Sequence, residues 1–458
     1  MPSSSFFNLL CPFDDLDVAF ILQRLSSLTG CVYLANNNMP VIAFSPVSYC
    51  IKKSNFKALH YVRDHQSEYT QTALQDLKSF IDIDLTKNSQ NFDGFNGGYI
   101  GFFDYNFSAN QQIHNQHRQQ PTFFLGQYLT FLRLENKKWI FYSTEENAEE
   151  IFNQINFLIF QKPTSSSLFS MMTPCQARWD KTQYLHAFEQ VQEYIQAGDC
   201  YQINLTQEFT AKTLGNLLDT AQDLWKLTNA PYAGYLKIDD FELLSCSPEL
   251  FIDFESERKI VTKPIKGTMP RYIDPILDKQ SKQILKSSKK DQAENVMIVD
   301  LLRNDLSIYA ETGTVKTPKL FEIESFNQVH HMVSEVTATL KSDIHPVDVL
   351  LSALPGGSIT GAPKIRAMEI IEELEGAPRG AYCGSMGYFN FDGTGSWNIL
   401  IRSVQKYQDE LSVWAGGGIT IASNGEAEYQ ECFDKVSAIL DLLNTWYQPE
   451  SSDKKSES

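Results

Sequence analysis

The sequence predicts a mixed α/β chain of the α+β kind built on antiparallel sheets, and three observations carry that prediction. Residues 21–160 run as short apolar stretches cut by polar turns, the pattern of an antiparallel sheet with few helices. From 181 onward, segments with apolar residues at helical spacing alternate with further strand-like runs. With 458 residues, 42% apolar and 21% charged, the chain can fill one large core or two ordinary domains.

The bulk numbers exclude several classes. A formal charge of −17 and a pI near 5.0 oppose standing attraction to nucleic acid or to an anionic membrane, so an anionic substrate needs a local cationic or metal site. The eight cysteines are scattered, with no CxxC pair and no Cys/His cluster at zinc spacing, which predicts reduced thiols. Met1 to Leu10 has no basic residue before its apolar run, and no run approaches the ~18 residues of a membrane span. The expectation is a cytoplasmic protein with neither membrane nor nucleic-acid partner.

In order, Cys31 to Ala35 reads as a strand ended by Asn36-Asn37-Asn38, and Phe95 to Tyr105 as an aromatic strand whose glycines admit another backbone. Asn106 to Pro121 reads as a polar loop. Residues 1–160 form an N-terminal region, and 161–180, with Lys162-Pro163-Thr164-Ser165-Ser166-Ser167, form a linker because that composition buries no core. Residues 181–446 are the second domain and 447–458 a polar, disordered tail. Tyr184 to Ala197 is an amphipathic helix stopped at Gly198, and Cys200 to Gln207 a strand in which Asn204 alternates with apolar neighbours. Asn204 there either faces a site or satisfies buried backbone.

Ser247-Pro248-Glu249 sets a carboxylate between apolar runs, suited to a general acid or base or to an ordinary strand end. In Thr262 to Arg271, Pro264 and Gly267 bracket Lys266, an amine that becomes a nucleophile if burial or a neighbouring cation lowers its pKa; a solvated turn lysine is the alternative. Asp278 to Ile308 reads as one long helix with Glu294, Ile298, Leu301, Leu302 and Asp305 on one face, so Glu294 points inward and needs a metal ion or an arginine such as Arg303. His331 lies in a β-branched run. Leu354 to Lys364 presents glycine N–H groups ahead of a helix with Pro363 as its first residue, an anion site that is not a Walker loop. Gly384 to Asn390 and Trp397 to Val404 read as neighbouring strands, the second carrying Arg402. Trp414 to Thr420 reads as a strand entering a glycine turn, and after Ser423-Asn424 a helix runs to about Trp446 with Glu428 and Glu431 in its first turns.

Together and in this order, Tyr201-Gln-Ile-Asn-Leu-Thr, Ser247-Pro-Glu, Pro264-Ile-Lys-Gly-Thr, Ala293-Glu-Asn-Val-Met-Ile-Val-Asp-Leu-Leu-Arg-Asn-Asp305, Pro355-Gly-Gly-Ser-Ile-Thr-Gly-Ala-Pro-Lys364, Ala415-Gly-Gly-Gly418 and Glu428-Tyr-Gln-Glu431 resemble the chorismate-utilising enzyme family over about Tyr184 to Leu440. The resemblance implies an anthranilate-synthase-like fold, two antiparallel sheets enclosed by helical layers, with residues 1–160 as its N-terminal part. It implies Mg²⁺ held by Glu294, Glu431 and Glu428, with Asp291 close behind, and Lys266 and Glu249 as catalytic groups. Asn204, Thr268, His331, Thr360, Arg402, Gly416, Gly417, Gly418 and Lys435 are implied in substrate binding. Lys266 stands where the anthranilate-forming branch has alanine, which implies amination of chorismate by ammonia to 4-amino-4-deoxychorismate through a covalent lysine adduct, toward para-aminobenzoate and folate. No GxCxG glutaminase motif occurs, so a glutamine amidotransferase subunit is the implied partner. The rival readings are anthranilate or isochorismate formation, or an inactive chorismate-binding subunit. The small-residue and arginine signature of a tryptophan site is not evident near Cys31 to Pro46.

Overall fold

The structure is a computed structural model that describes residues 6–13, 16–54, 56–64, 67–85, 93–161, 168–325 and 329–449; residues 162–167 of the expected linker and 450–458 of the expected tail lie outside these. Two sheets of 13 and 12 strands, whose named pairings are all antiparallel, dominate the described residues. Each sheet is assembled from both sides of the segment around residue 165. In the larger one, Val32–Leu34 pairs with Tyr232–Ile238, and in the smaller one Gly98–Phe103 pairs with Ser385–Asn390.

Alternation along the strands sends one set of side chains between the sheets and the other under helices. Val32, Leu34, Ile100, Phe102, Phe124, Leu236, Leu243 and Met386 form the layer between the sheets. The outer face of the larger sheet is covered through Leu22, Ile155, Leu224 and Leu443, and that of the smaller one through Val299, Leu306, Val347 and Leu350. A further cluster, with Tyr184, Val191, Ile370, Ile371 and Cys432, packs three helices (Lys181–Ala197, Lys364–Glu375 and Gly425–Asp434) on the strands Gln202–Leu214 and Glu410–Thr420. The expected close approach at the aromatic strand is present: a Cβ on Gly101 would come within 1.9 Å of Phe124 O.

Several elements differ from the sequence reading. The long helix is two, Pro275–Ser287 and Lys289–Ser307, because Ser288 leaves helical geometry at ψ 107° and caps the second by accepting from Asp291 N. Trp397 to Val404 is not one strand. Gly395–Asn398 belongs to the smaller sheet and Ser403–Tyr407 to the larger, and the chain crosses between them, with Arg402 at φ 51°. Apolar residues on both sides of that crossing imitate a continuous strand. The glycines after Trp414 do not turn; the strand runs to Thr420, laddered along Gln202–Leu214. The last helix divides into Gly425–Asp434 and Ser437–Asn444 at the buried Val436, with φ −129°. Asp104 caps a short helix, Tyr105–Ala109, at the start of the expected polar loop. Pro363 is the cap before the Lys364–Glu375 helix, one residue short of the expected place.

Candidate active site

Two segments cross from one sheet to the other side by side. Ser247-Pro248-Glu249 joins Phe241–Ser247 of the larger sheet to Leu250–Phe254 of the smaller, and Ile399 to Arg402 returns the other way. They are stitched together: Ile399 N donates to Glu249 O at 3.2 Å, Ser247 Oγ to Ile399 O at 2.6 Å and Cys246 N to Arg402 O at 3.2 Å. The crossing places Glu249 and Arg402 where the sheets part, which local periodicity does not reveal.

Lys266 lies on Ile265–Pro270, an end strand of the smaller sheet, and its amine donates to Ser358 O at 3.3 Å. Burial lowers its pKa; the carboxylates of Glu249, Glu294 and Glu431 oppose that and Lys435 reinforces it. Glu249 is 8% exposed, and burial pushes its carboxyl up to about 7 against the pull of Lys266, the Ile265 N–H, Lys435 and Arg402. An amine whose pKa burial lowers is thus coupled through its charge to a carboxyl that burial pushes up to about 7, a pairing that suits nucleophile and general acid/base.

Arg402 has no side-chain hydrogen bond or ion pair among the described residues, and burial lowers its pKa. It stands where Ser403–Tyr407 stops pairing with Glu410–Thr420, so beyond Val413 no strand among the described residues pairs with that edge of the glycine strand. A cation beside backbone N–H groups that no strand engages is an anion site. His331 Nδ1 pairs with Thr268 Oγ1 at 2.9 Å, and burial, then Arg402, pushes its pKa down to about 4, so it works as a neutral ring. Asn204 and Thr360 are committed to backbone: Asn204 Nδ2 donates to Ile359 O at 3.1 Å, and the fully buried Thr360 Oγ1 donates to Gly356 O at 3.0 Å.

The acids gather beyond Lys266. A Cβ on Gly417 would lie 2.8 Å from Glu428 Oε2 and 3.0 Å from Glu431 Oε1, so glycine is what lets both carboxylates settle on the strand. Glu428 is buried, which raises its pKa, as does the charge of Glu431, while the hydrogen bond it accepts from Ser423 Oγ at 2.7 Å opposes the shift. Burial also raises Glu294, with Asp291 and Glu428 adding to it and Lys266 and Lys290 opposing. Lys435 donates to Gly416 O at 2.8 Å and meets Glu431 at 2.6 Å. Asp291 packs against Gly267. Arg303 is not the partner of Glu294, since it bonds Asp300 at 2.9 Å on the exposed side of the helix. Among the described residues no three acidic, His or Cys side chains stand close enough to hold an ion alone. The donor set is nonetheless all oxygen, negative and crowded against a bare glycine, which fits a hard dication such as Mg²⁺ completed by ligand oxygens.

Sequence reasoning missed Gln202, fully buried beside Gly418 with neither amide atom partnered among the described residues, and the buried pair Glu375 and Arg379. The first could have been found by alternation, two residues from Asn204 on the same strand face.

Residues 39–441 match the family of chorismate binding enzymes, and the chain belongs to it. Among its members the chain is 42% identical to aminodeoxychorismate synthase component 1 of Salmonella typhimurium over 353 residues, 76% of this chain and 77% of that one. It is 40% identical to the protein of the same name from Escherichia coli, covering 82% of this chain and 83% of the other. The crystal structure of anthranilate synthase component I from Streptococcus pneumoniae superposes with a TM-score of 0.74 at 28% identity, over 87% of this chain and 91% of that one. The expected architecture of two antiparallel sheets with helical layers is thereby shown.

Proposed function

We infer that this chain aminates chorismate to 4-amino-4-deoxychorismate, and the observation that carries the reading is the half-buried Lys266, its amine donating to Ser358 O at 3.3 Å and coupled through its charge to the buried Glu249 at the seam of the sheets. In this reading Lys266 attacks ring carbon C2, both ring double bonds shift, from C1=C2 and C5=C6 to C1=C6 and C4=C5, and the C4–O bond breaks while Glu249 protonates the departing hydroxyl to water. Ammonia then forms a bond to C4, both double bonds shift back, and the C2–N bond to Lys266 breaks with its electron pair returning to the amine. Glu249, now a carboxylate, takes the proton that ammonia sheds. Arg402 and the open glycine edge take one substrate carboxylate, and His331 with Thr268 orients the ring hydroxyl side. Glu294, Glu428 and Glu431 would hold Mg²⁺, which when bound neutralises the other carboxylate and withdraws electrons from the ring.

Ammonia comes from a second subunit in this reading. The relatives are named as a first component, and the cysteines of this chain do not resemble activated nucleophiles: seven of the eight are buried and Cys175 is partly so, and burial raises the thiol pKa at Cys31, Cys50, Cys175, Cys200, Cys246, Cys383 and Cys432. No described helix is long and apolar enough to cross a membrane; a cytoplasmic site of action accords with the reduced thiols.

The test is product analysis by mass spectrometry after incubation with chorismate, Mg²⁺ and either ammonium or glutamine. 4-Amino-4-deoxychorismate from ammonium but not from glutamine is expected. Anthranilate or isochorismate as the product overturns the reaction, and turnover of glutamine by the isolated chain overturns the need for a partner.

A further inference from the structure

Beneath the site lies an ion pair sealed from water. Glu375 and Arg379 are each 1% exposed, on and just past the end of the Lys364–Glu375 helix. Arg379 Nε donates to Glu375 Oε2 at 2.8 Å, and one terminal nitrogen to Oε1 at 2.7 Å, a two-pronged contact. The remaining capacity goes to backbone. One terminal nitrogen donates to Ile359 O at 2.9 Å and the other to Asn204 O at 2.7 Å. Glu375 Oε1 also accepts from Thr206 N at 2.9 Å and from Thr206 Oγ1 at 2.7 Å. The guanidinium is flanked by the Tyr105 ring, 4.7 Å from its centroid.

Every backbone group that this pair engages belongs to the site's walls. Asn204 and Thr206 lie on the strand laddered to Gly416 and Gly418, and Ile359 follows Ser358, whose carbonyl accepts from the Lys266 amine. Ile359 O is held a second time by Asn204 Nδ2, and Asn204 N donates to Thr360 O at 2.8 Å. The loop is clamped from its other side too, where a Cβ on Gly357 would overlap Leu301 at 1.9 Å. Burying an ion pair is not an efficient way to stabilise a fold, because desolvation offsets the attraction and apolar replacements of the whole pair are often neutral. Only the planar fork of arginine can serve a carboxylate and two carbonyls from one fixed place.

The geometry points to Arg379, held by Glu375, as a positioning residue that locks the Ser358–Thr360 loop against the Asn204–Thr206 strand and so sets the place of the Lys266 amine. The inference rests on the proposed amination for its turnover readout only. The test is the double variant Glu375→Gln with Arg379→Met, which removes the charge without leaving half of it buried. Turnover of chorismate with ammonium is expected to fall about 10²-fold in kcat, the scale of a misplacement near 1 Å, with the unfolding temperature near that of the native protein. In parallel, acylation of Lys266 by a small amine-reactive ester is followed against pH by peptide mass spectrometry without chorismate, and its midpoint is expected to shift upward as water enters. A folded double variant with native kcat, or with a native labelling midpoint, overturns the proposal. If the double variant does not fold, Thr206→Val decides, since it removes one bond to Glu375 and keeps the pair. A several-fold loss of kcat is then expected, and none overturns the idea. The labelling needs no turnover, so a native protein that makes no aminated product sinks the proposed reaction while the positioning role is still judged.

Discussion

Replacing Glu249 with glutamine is expected to stabilise the protein at alkaline pH while removing its turnover. Burial holds this carboxyl at about 7 in the folded chain, whereas an ordinary glutamate titrates at 4.5. Between those values the folded state holds the proton that the unfolded state has lost, so stability falls as pH rises through the window and the full penalty is present above it. At about 1.4 kcal/mol per pKa unit, the ionised carboxylate costs ~3 kcal/mol at pH 8 and ~1 kcal/mol at pH 5. Glutamine has nothing to ionise and keeps an oxygen for the Ile265 N–H, so the variant escapes that penalty. Urea unfolding of both proteins at the two pH values measures the difference. The variant should gain ~2 kcal/mol over the native protein on going from pH 5 to pH 8, with product formation reduced at least 10²-fold. Parallel stability profiles, with no relative gain at pH 8, would refute burial as the cause of the shift, and undiminished turnover would remove Glu249 from the chemistry.

Lys266→Ala should lose most of the ammonium-dependent rate, and incubation of the native protein with chorismate but without ammonia should leave an adduct on the Lys266 peptide; an unmodified peptide with a near-normal rate for the alanine variant argues for direct attack by ammonia. Glu294→Gln or Glu431→Gln should abolish turnover without unfolding the protein, which circular dichroism checks, and full activity of the native protein in excess chelator would end the metal assignment. Gly417→Ala inserts a methyl group 2.8 Å from Glu428 Oε2, so the acids must separate; the Mg²⁺ concentration for half-maximal rate should rise at least tenfold, and an unchanged value shows that the glycine is not what seats them.

The sequence by itself named the candidate groups and determined much of the local structure around them. Lys266 between a proline and a glycine, Glu249 after Ser-Pro, and Glu294 on the buried stripe of its helix are each legible because turn chemistry and helical phase act over a few residues. The helix stopped by Gly198, at φ 84°, is legible for the same reason. What the tertiary structure alone decided is where those groups meet. Pairing of Val32–Leu34 with Tyr232–Ile238, some 200 residues away, leaves no mark in either stretch, since an apolar run specifies that a face is buried and not against which partner. The stretch from Trp397 to Val404 reads as one strand for that reason: a chain passing from one sheet to another is apolar on both sides, and only the packed sheets show that it crosses. Arg379 is the extreme case: its partner Glu375 is only four residues away, but its hydrogen bonds to Ile359 O and Asn204 O exist only once the loop and the strand have closed around the helix end.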